Sequence, residues 1–428
     1  MMKVFKKLKS NLVFLNNYIE ENGYIKTIKK IITLDFNIKD ISIYSGDIKL
    51  LSYKEFIEAD KQSIINRNYW IFPVCAYTHI LDGNIRALFE EIKDNVDIKK
   101  IILTRDIDIN LDGNNIEYIP LKSILGQEYL LQSTFIFIKH SPKVNTIYPL
   151  DSKKHKFINL WHGIPIKRIG ISSLDLKYEQ KMIRIENNKC YSTIASSKID
   201  KMAMASAFYP LTYNDIWVTG LPRHDFILKD EYMLPIDFQK ELNQLDTLLD
   251  DKKFILYAPT FRNNQKSGYY NFSEEEKNIL NSYLNENNVI LGIREHMADS
   301  SNSYTKALQG DYIIDVGSKY FPNIEILYRK ADILITDYSS CFIDFMLTEK
   351  PMISFAYDYK NYIEHERGLF YEFEDVFAGE ICKTFESLIS SMKNIRIDKN
   401  YKYKQKIFFK YQDINNSKRV LEKLKEIE

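Results

Sequence analysis

Two histidines and a pair of adjacent serines are the side chains of this sequence whose types and positions could do chemistry. His162 stands in the stretch WHG, directly after a short apolar run, and an imidazole can take a proton from a hydroxyl near neutral pH. His296 follows another apolar run, and Ser339 and Ser340 stand where a helix is predicted to begin. Helix starts bind phosphate readily, so these residues predict a general base and a phosphate site.

In the second half of the chain, predicted strands end just before side chains suited to phosphate. The run in FILYAPTFR ends ahead of Thr260, and the run ILIT ends ahead of the polar turn DYSS. Ligands of open α/β sheets bind outside the carboxyl ends of the strands, so these residues are expected to converge. The candidate donor-side residues, including one from the loop EHERG, are Thr260, Arg262, Arg294, Asp337, Ser339, Ser340 and Arg367.

Each of these signals, taken alone, has an ordinary alternative. Serines before a helix commonly act only as its cap, and a histidine after a strand can be satisfied by nearby backbone. The charged loop around Arg367 could simply be solvated. The convergence of several strand ends favours a diphosphate site over these alternatives. The sequence contains neither a G-x-G-x-x-G dinucleotide motif nor a P-loop.

Short apolar runs alternate with amphipathic stretches along most of the chain. ISIYS, YWIFPV, KIILTR and STFIFIKH are predicted strands, and LDGNIRALFEEIKD is a predicted helix. A helix is also predicted to begin at Pro165, after WHG, and another to run from Cys341 to Glu349. This alternation predicts an α/β fold with parallel sheets covered on both faces.

Length and composition favour a two-domain globular protein. The chain has 428 residues, 45% of them hydrophobic and 27% charged, with a net charge of +1. This balance argues against a nucleic-acid partner. We predict a first domain over 1–228, a second over 229–400, and a last helix over 401–428 that crosses back to the first domain.

The first 35 residues are basic with interleaved apolar side chains. Such a segment could lie on an anionic membrane surface or could be a solvated helix packed on its domain, and the sequence leaves both open. No apolar run approaches the ~20 residues of a membrane-spanning helix. The four cysteines are far apart and form no C-x-x-C pair, so they indicate no metal or redox motif.

The motifs WHGIPIKRIG, GLPRHD, ILYAPTFR, REH, ILITDYSSCFIDF, FAYD and ERG, in this order, resemble those of the CDP-glycerol glycerophosphotransferases of teichoic-acid synthesis. The resemblance covers about Asp82 to Glu374. It implies a GT-B fold, in which two Rossmann-like domains face a cleft, the first taking the acceptor and the second the nucleotide donor. It further implies transfer of an alditol phosphate from a CDP-activated donor to a hydroxyl.

The resemblance also assigns roles to individual residues. By position, His162 matches the family's proposed base, and His296 matches a second histidine thought to meet the donor phosphates. Arg262, Ser339 and Ser340 would line those phosphates, and Arg367 matches the ERG arginine. The residues expected on the acceptor side are Trp161, Gly163, Lys167 and Arg223.

Three features depart from the family pattern. Met297 replaces a proline after the second histidine, Asp413-Ile414 replaces an Asp-Gly, and the chain has little room for the large N-terminal region of many polymerases. The loop after His296 is therefore expected to differ from that of the family. The expected enzyme is a compact transferase, and priming and polymerising activities remain alternatives.

The resemblance implies a CDP-glycerol donor, with CDP-ribitol as the alternative, and a lipid-linked or glycan acceptor. The product would be a teichoic-acid-like or capsular polymer, made in the cytoplasm or at the inner face of the membrane. No metal is expected to be required, because the one D-x-D, Asp106-Ile107-Asp108, lies away from the donor motifs. Rival interpretations are a GT-B enzyme that uses a nucleotide sugar and a non-catalytic module of a polymer-synthesis complex.

Overall fold

The computed structural model describes residues 50–174, 176, 178–260, 269–296, 303–360, 362 and 368–427. Several sequence-based predictions lie outside these residues. They are the basic segment 1–35, the strand ISIYS, and the roles of Arg262, Met297 and Arg367.

The first domain is built on a parallel sheet of seven described strands in the order β3-β2-β1-β4-β5-β6-β7. Strand β1 pairs in parallel with both β2 and β4, for example through Ile71 opposite Ile101 and opposite Ile136. Both faces of this sheet are buried, which explains the continuous apolar runs of its central strands. The strands are β1 (Tyr69–Pro73), β2 (Lys99–Thr104), β3 (Ile116–Pro120), β4 (Phe135–Ile138), β5 (Lys156–Asn159), β6 (Cys190–Ala195) and β7 (Ile216–Val218).

Helices cover both faces of this sheet. The helix predicted in LDGNIRALFEEIKD is confirmed as α2, which buries Ile85, Leu88, Phe89 and Ile92 at helical spacing. The described helices of this domain are α1 (Tyr53–Gln62), α2 (Gly83–Ile92), α3 (Ile124–Gln132), α4 (Pro142–Thr146), α5 (Gln180–Asn187), α6 (Lys198–Ala207) and α7 (His224–Leu228).

The second domain repeats the plan with a parallel sheet in the order β10-β9-β8-β11-β12-β13. Its strands are β8 (Lys253–Ala258), β9 (Val289–Ile293), β10 (Ile313–Asp315), β11 (Ile333–Thr336), β12 (Met352–Phe355) and β13 (Glu380–Cys382). Its described helices are α8 (Ile236–Leu249), α9 (Glu274–Glu286), α10 (Ser303–Ala307), α11 (Ile324–Lys330), α12 (Cys341–Phe345), α13 (Phe373–Val376) and α14 (Phe385–Lys393).

The chain ends with α15 (Tyr401–Phe408) and α16 (Asn416–Lys425), which pack on helices of the first domain. The Asp225 carboxylate of α7 accepts hydrogen bonds from the backbone N–H groups of Asn416 and Ser417, both at 3.0 Å. The carboxylate thereby satisfies N–H groups that the first turn of α16 would otherwise leave unpaired.

Each sheet contains a point where the strand order reverses, between β1 and β4 in the first and between β8 and β11 in the second. In doubly wound sheets, ligands bind in the crevice outside the carboxyl ends of the strands at such a point. The residues that follow β4 and those that follow β8 and β11 are therefore the first places to look for a site.

The segment after WHG corrects one prediction. No helix begins at Pro165; the chain is irregular as it crosses toward the second domain, where Lys167 bridges Leu369 in antiparallel fashion. The N–H of Arg168 donates to the carbonyl of Gly368 at 2.9 Å, and the N–H of Phe370 donates to that of Ile166 at 2.8 Å. These contacts between domains satisfy backbone groups of Ile166 and Arg168 that a helix would otherwise pair internally.

Two further predictions needed revision. The helix predicted from Cys341 to Glu349 is α-helical only to Phe345 and continues as a 3₁₀ turn over Met346–Thr348. Strand β3 was missed because it is an outer strand that is only partly buried, so its sequence IEYIP lacks a continuous apolar run. Within the described part of the chain, no helix has the length and apolar character needed to cross a bilayer.

Candidate active site

His162 is presented by a constrained turn after β5. Trp161, which precedes it, has φ 50°, a left-handed conformation that is unfavourable for a bulky residue. The Trp161 N–H donates to Asn159 Oδ1 at 2.9 Å, and Asn84 Nδ2 donates to the carbonyls of Leu160 at 2.7 Å and Trp161 at 3.2 Å. Backbone strain of this kind costs on the order of 1–3 kcal/mol and persists where the surroundings impose it, commonly at functional sites.

The ring of His162 is suited to act as a base. Its Nδ1 lies 3.4 Å from the carbonyl oxygen of Lys139. A carbonyl can only accept a hydrogen bond, so this contact requires the proton on Nδ1 and leaves the lone pair on Nε2. Nε2 is then the atom that can take a proton from a substrate.

Burial and neighbouring groups keep His162 uncharged. The side chain presents surface to solvent, yet the protein around it desolvates the ring, which lowers its pKa well below 6.5. The positive charge of Lys139 acts in the same direction, because it repels a second cation beside it.

The lowered pKa of His162 leads to a prediction about pH. Because the neutral ring is the active base, kcat/KM should stay level from pH 8 down to about pH 6, near the ordinary pKa of a free imidazole, and fall only in more acidic buffer. Initial rates across this range at fixed ionic strength, with enzyme stability checked at each pH, will measure it. A fall in kcat/KM with its midpoint near pH 7 would contradict the lowered pKa of His162.

A second imidazole, which the sequence analysis did not single out, lies beside the first. His140 follows β4, and its ring centroid is 5.2 Å from that of His162. Burial lowers the pKa of His140 to about 4, and Lys139 adds to the shift. The only signal in the sequence is that His140 follows a predicted strand. That this strand lies where the strand order reverses cannot be deduced from the sequence.

Arg223, predicted on the acceptor side, instead connects the two domains. Its guanidinium donates to the carbonyl of His162 at 2.8 Å and lies 2.9 Å from Glu325 Oε1 and 3.6 Å from Asp344 Oδ2. Burial disfavours the charged form, but these carboxylates outweigh it and raise the pKa of Arg223. The side chain is buried and supports the backbone of His162, and its contact with an acceptor stays a prediction.

The other residues predicted on the acceptor side lie along the segment that crosses to the second domain. Gly163 is partly exposed next to His162, and a side chain there would meet nothing within 4 Å. Lys167 places its ammonium 5.4 Å from the centre of the Tyr362 ring, at the antiparallel bridge described above. Trp161 packs edge-on against Phe208.

On the donor side, Asp337 joins the ends of β8 and β11. Its Oδ1 accepts hydrogen bonds from the N–H groups of Thr260 at 2.9 Å and Tyr338 at 2.6 Å. A carboxylate would repel a phosphate, so Asp337 is suited to positioning the strand ends rather than to contacting the anion. Thr260 is buried, and its hydroxyl has no hydrogen-bond partner among the described residues.

The serines of DYSS lie half-buried at the start of α12, next to this junction. The Cys341 N–H donates to Ser339 Oγ at 3.4 Å, a long contact, and the side chain of Ser340 makes no capping hydrogen bond. The serines are therefore weak caps, which leaves their hydroxyls suited to contacts with a ligand.

Of the two candidate residues after β9, Arg294 is buried and His296 is exposed. The Arg294 guanidinium is buried and donates to the carbonyls of Val316 at 2.9 Å, Phe321 and Pro322. Burial lowers its pKa to about 10, and these hydrogen bonds hold it against the protein, so its contact with the donor stays a prediction. His296, two residues on, is exposed at the end of the described segment.

A family model described as CDP-glycerol:poly(glycerophosphate) glycerophosphotransferase matches residues 58–426. The chain belongs to this family. The match extends through both sheets and includes every described residue of the candidate site.

Similar proteins agree with this glycerophosphotransferase assignment. The chain is 29% identical over 370 residues to the teichoic acid poly(glycerol phosphate) polymerase of Bacillus spizizenii, covering 80% of this chain and 88% of that protein. It is 27% identical to the ribitol-phosphate polymerase TarK of Staphylococcus aureus, over 80% of this chain and 66% of that one. It spans only 54% of the B. spizizenii poly(ribitol-phosphate) polymerase.

The solved structure of the wall teichoic acid polymerase TagF resembles this glycerophosphotransferase with a TM-score of 0.69 and 19% identity, covering 94% of this chain and 97% of that one. The predicted GT-B architecture is thereby confirmed. The predicted family resemblance and enzyme class are confirmed by the family match.

Proposed function

We propose that this chain transfers an alditol phosphate, glycerol phosphate in the first place, from a CDP-activated donor to an acceptor hydroxyl, releasing CMP. The single observation that carries the proposal is the geometry of His162, whose Nδ1 faces the Lys139 carbonyl and whose chain leads into the segment that bridges to the second domain. The names of the relatives, which are polymerases of poly(glycerol phosphate) and ribitol phosphate, support the choice of donor.

In the proposed reaction, the acceptor oxygen attacks the β-phosphorus of the donor in line. A P–O bond forms to the acceptor, and the bond from the β-phosphorus to the bridging oxygen breaks, so this oxygen leaves with CMP. The proton of the acceptor hydroxyl passes to Nε2 of His162. Phosphoryl transfer relies on positioning and charge stabilisation, which requires donors aimed at the diphosphate.

The proposed donor contacts are the hydroxyls of Thr260, Ser339 and Ser340. They lie after β8 and β11, at the point where the strand order of the second sheet reverses. His296 is the remaining proposed donor contact among the described residues. Arg262 and Arg367 are also proposed donor contacts, and they lie outside the described residues.

Thr260→Val tests the donor contact with an almost isosteric change. If the buried hydroxyl donates to the charged diphosphate, losing that bond costs ~1.5–3 kcal/mol, and the donor KM should rise about 10–100-fold. Thermal stability should change little, because no described residue bonds this hydroxyl. The measurements are donor KM and the melting temperature.

Thr336→Val is the matched control. The Thr336 hydroxyl donates to the carbonyl of Ala258 at 2.6 Å, so its loss should reduce stability by ~1 kcal/mol and leave donor KM nearly unchanged. Equal donor KM for wild type and Thr260→Val would exclude this hydroxyl from the donor site.

The test of the function itself is a donor panel. CMP release and product formation are measured with CDP-glycerol, CDP-ribitol, a UDP-sugar and a GDP-sugar, each with Mg²⁺ and with EDTA. We expect turnover with a CDP-alditol that persists in EDTA, because metal is proposed to be dispensable. Turnover only with a nucleotide sugar would refute the proposal in favour of glycosyl transfer, and failure of every donor would favour a non-catalytic module.

We also propose a lipid-linked or glycan acceptor and work at the cytoplasmic face of the membrane, in synthesis of a teichoic-acid-like or capsular polymer. Attachment would use the basic residues of segment 1–35. Co-sedimentation of the full chain with vesicles rich in phosphatidylglycerol tests this. Reversing the charges of Lys3, Lys6, Lys7 and Lys9 should abolish binding if the proposal holds.

A further inference from the structure

His140 occupies the position in the first sheet where a doubly wound fold binds its ligand. It follows β4, next to β1, where the strand order reverses. Its ring lies among three others: Tyr77 at 5.1 Å, His162 at 5.2 Å and Trp161 at 6.4 Å between centroids. The second imidazole therefore belongs to the wall of the cleft that presents the proposed base.

The backbone of His140 is held from both sides. Its N–H donates to Asn145 Oδ1 at 3.0 Å, and its carbonyl accepts from Asn159 Nδ2 at 3.0 Å. The ring Nε2, by contrast, is buried and has no hydrogen-bond partner in the described part of the chain. Leaving a buried polar atom unpaired costs ~1–3 kcal/mol, so such an atom held in a fixed place calls for a functional explanation.

The surroundings of His140 determine which group it could bind. The nearby Lys139 ammonium lies 2.7 Å from Asp82 Oδ1, so its charge is compensated by a carboxylate. The imidazole itself is neutral, since burial and Lys139 lower its pKa to about 4. A neutral ring nitrogen between aromatic rings suits a hydroxyl, which can donate or accept, better than it suits an anion.

We propose that His140 Nε2 hydrogen-bonds the acceptor hydroxyl adjacent to the one that attacks, and thereby holds the attacking oxygen at His162. The inference rests on the proposed function and adds a specificity-determining residue to it. A glycerol phosphate terminus carries two neighbouring hydroxyls, so the two adjacent imidazoles would each bind one. The enzyme should then prefer an acceptor with a terminal vicinal diol over one that lacks the second hydroxyl.

Kinetics with two acceptors tests this inference. Wild type, His140→Phe and His140→Gln are assayed with a di(glycerol phosphate) acceptor and with its analogue lacking the hydroxyl next to the attack site. A lost hydrogen bond of ~1.4 kcal/mol should raise the acceptor KM of His140→Phe about 10-fold for the diol only, with donor KM unchanged. The amide of His140→Gln can replace Nε2 and should recover part of the loss.

Val144→Ala, on the exposed face of α4, is the matched control and should match wild type with both acceptors. Melting temperatures check folding, and the comparison between the acceptors keeps the result interpretable if His140→Phe is less stable. An equal loss with both acceptors, or no loss with either, would overturn the role of His140.

A binding measurement separates this inference from the proposed reaction. Di(glycerol phosphate) is titrated calorimetrically into wild type and His140→Phe in the absence of donor. Binding about 10-fold weaker to the variant supports the inference even if no CDP-alditol is turned over, which would refute only the reaction. Equal binding to both proteins, or none to wild type, overturns the inference whatever the donor panel shows.

Discussion

His162→Ala is expected to lower kcat for transfer from CDP-glycerol by about 10²–10⁴-fold, the contribution typical of a general base. The variant should fold normally, because the ring is exposed on one side and its side chain makes one long polar contact within the described residues, at 3.4 Å to the Lys139 carbonyl. Donor KM should remain close to the wild-type value, since the diphosphate is proposed to bind in the second domain. Single-turnover rates of CMP release will measure the effect on chemistry directly.

His79→Asn provides the control for this experiment. His79 lies on the loop after β1, pairs with Asp106 at 3.4 Å and has φ 59°, a conformation that asparagine tolerates. Its replacement removes an imidazole from the same domain without touching the proposed base. A rate close to wild type in His162→Ala would remove that residue from the mechanism.

Arg223→Met is expected to destabilise the protein by about 3–5 kcal/mol, because it removes the cation that faces the buried Glu325 carboxylate, while Asp344 keeps its contact with His224 at 2.8 Å. The guanidinium lies against Glu325 and Asp344, and both carboxylates are almost completely enclosed. The same change removes the hydrogen bond to the His162 carbonyl, so kcat should fall even where the variant remains folded. Urea denaturation and kcat at low temperature separate the two effects.

Lys61→Met is the control for Arg223→Met, because it breaks an exposed ion pair. Lys61 and Glu58 are 2.7 Å apart with side chains 63% and 64% exposed, so their loss should change stability by less than ~1 kcal/mol. If the two variants lose the same stability, Arg223 does not hold the domains together in the way its contacts indicate.

Local pattern was sufficient to predict much of the fold and part of the site. The apolar runs YWIFPV and ILIT are strands, and the helix beginning after Asp82 is amphipathic at the predicted positions. These predictions succeed because burial on both faces of a parallel sheet requires continuous apolar runs. The position of Thr260, His162 and the DYSS serines directly after strands follows from the same pattern.

Residues whose roles depend on distant partners could not be predicted in this way. Arg294 and Arg223 stand beside motif residues, and nothing local shows that Arg294 turns inward to the loop over 316–322 or that Arg223 reaches Glu325. Pro165 is compatible with a helix start and with a non-helical chain. The backbone bond between Arg168 and Gly368, about 200 residues away, decides for the second.

The sequence by itself determined the α/β class, the strand ends that carry polar side chains, and the family, because these depend on local periodicity and ordered motifs. The tertiary structure alone decided which strand ends are neighbours. Sheet order places His140 beside His162 and Asp337 against Thr260, although 22 and 77 residues separate the members of each pair. Such contacts depend on the packing of whole elements, so they and the pKa shifts they cause appear only when the chain is folded.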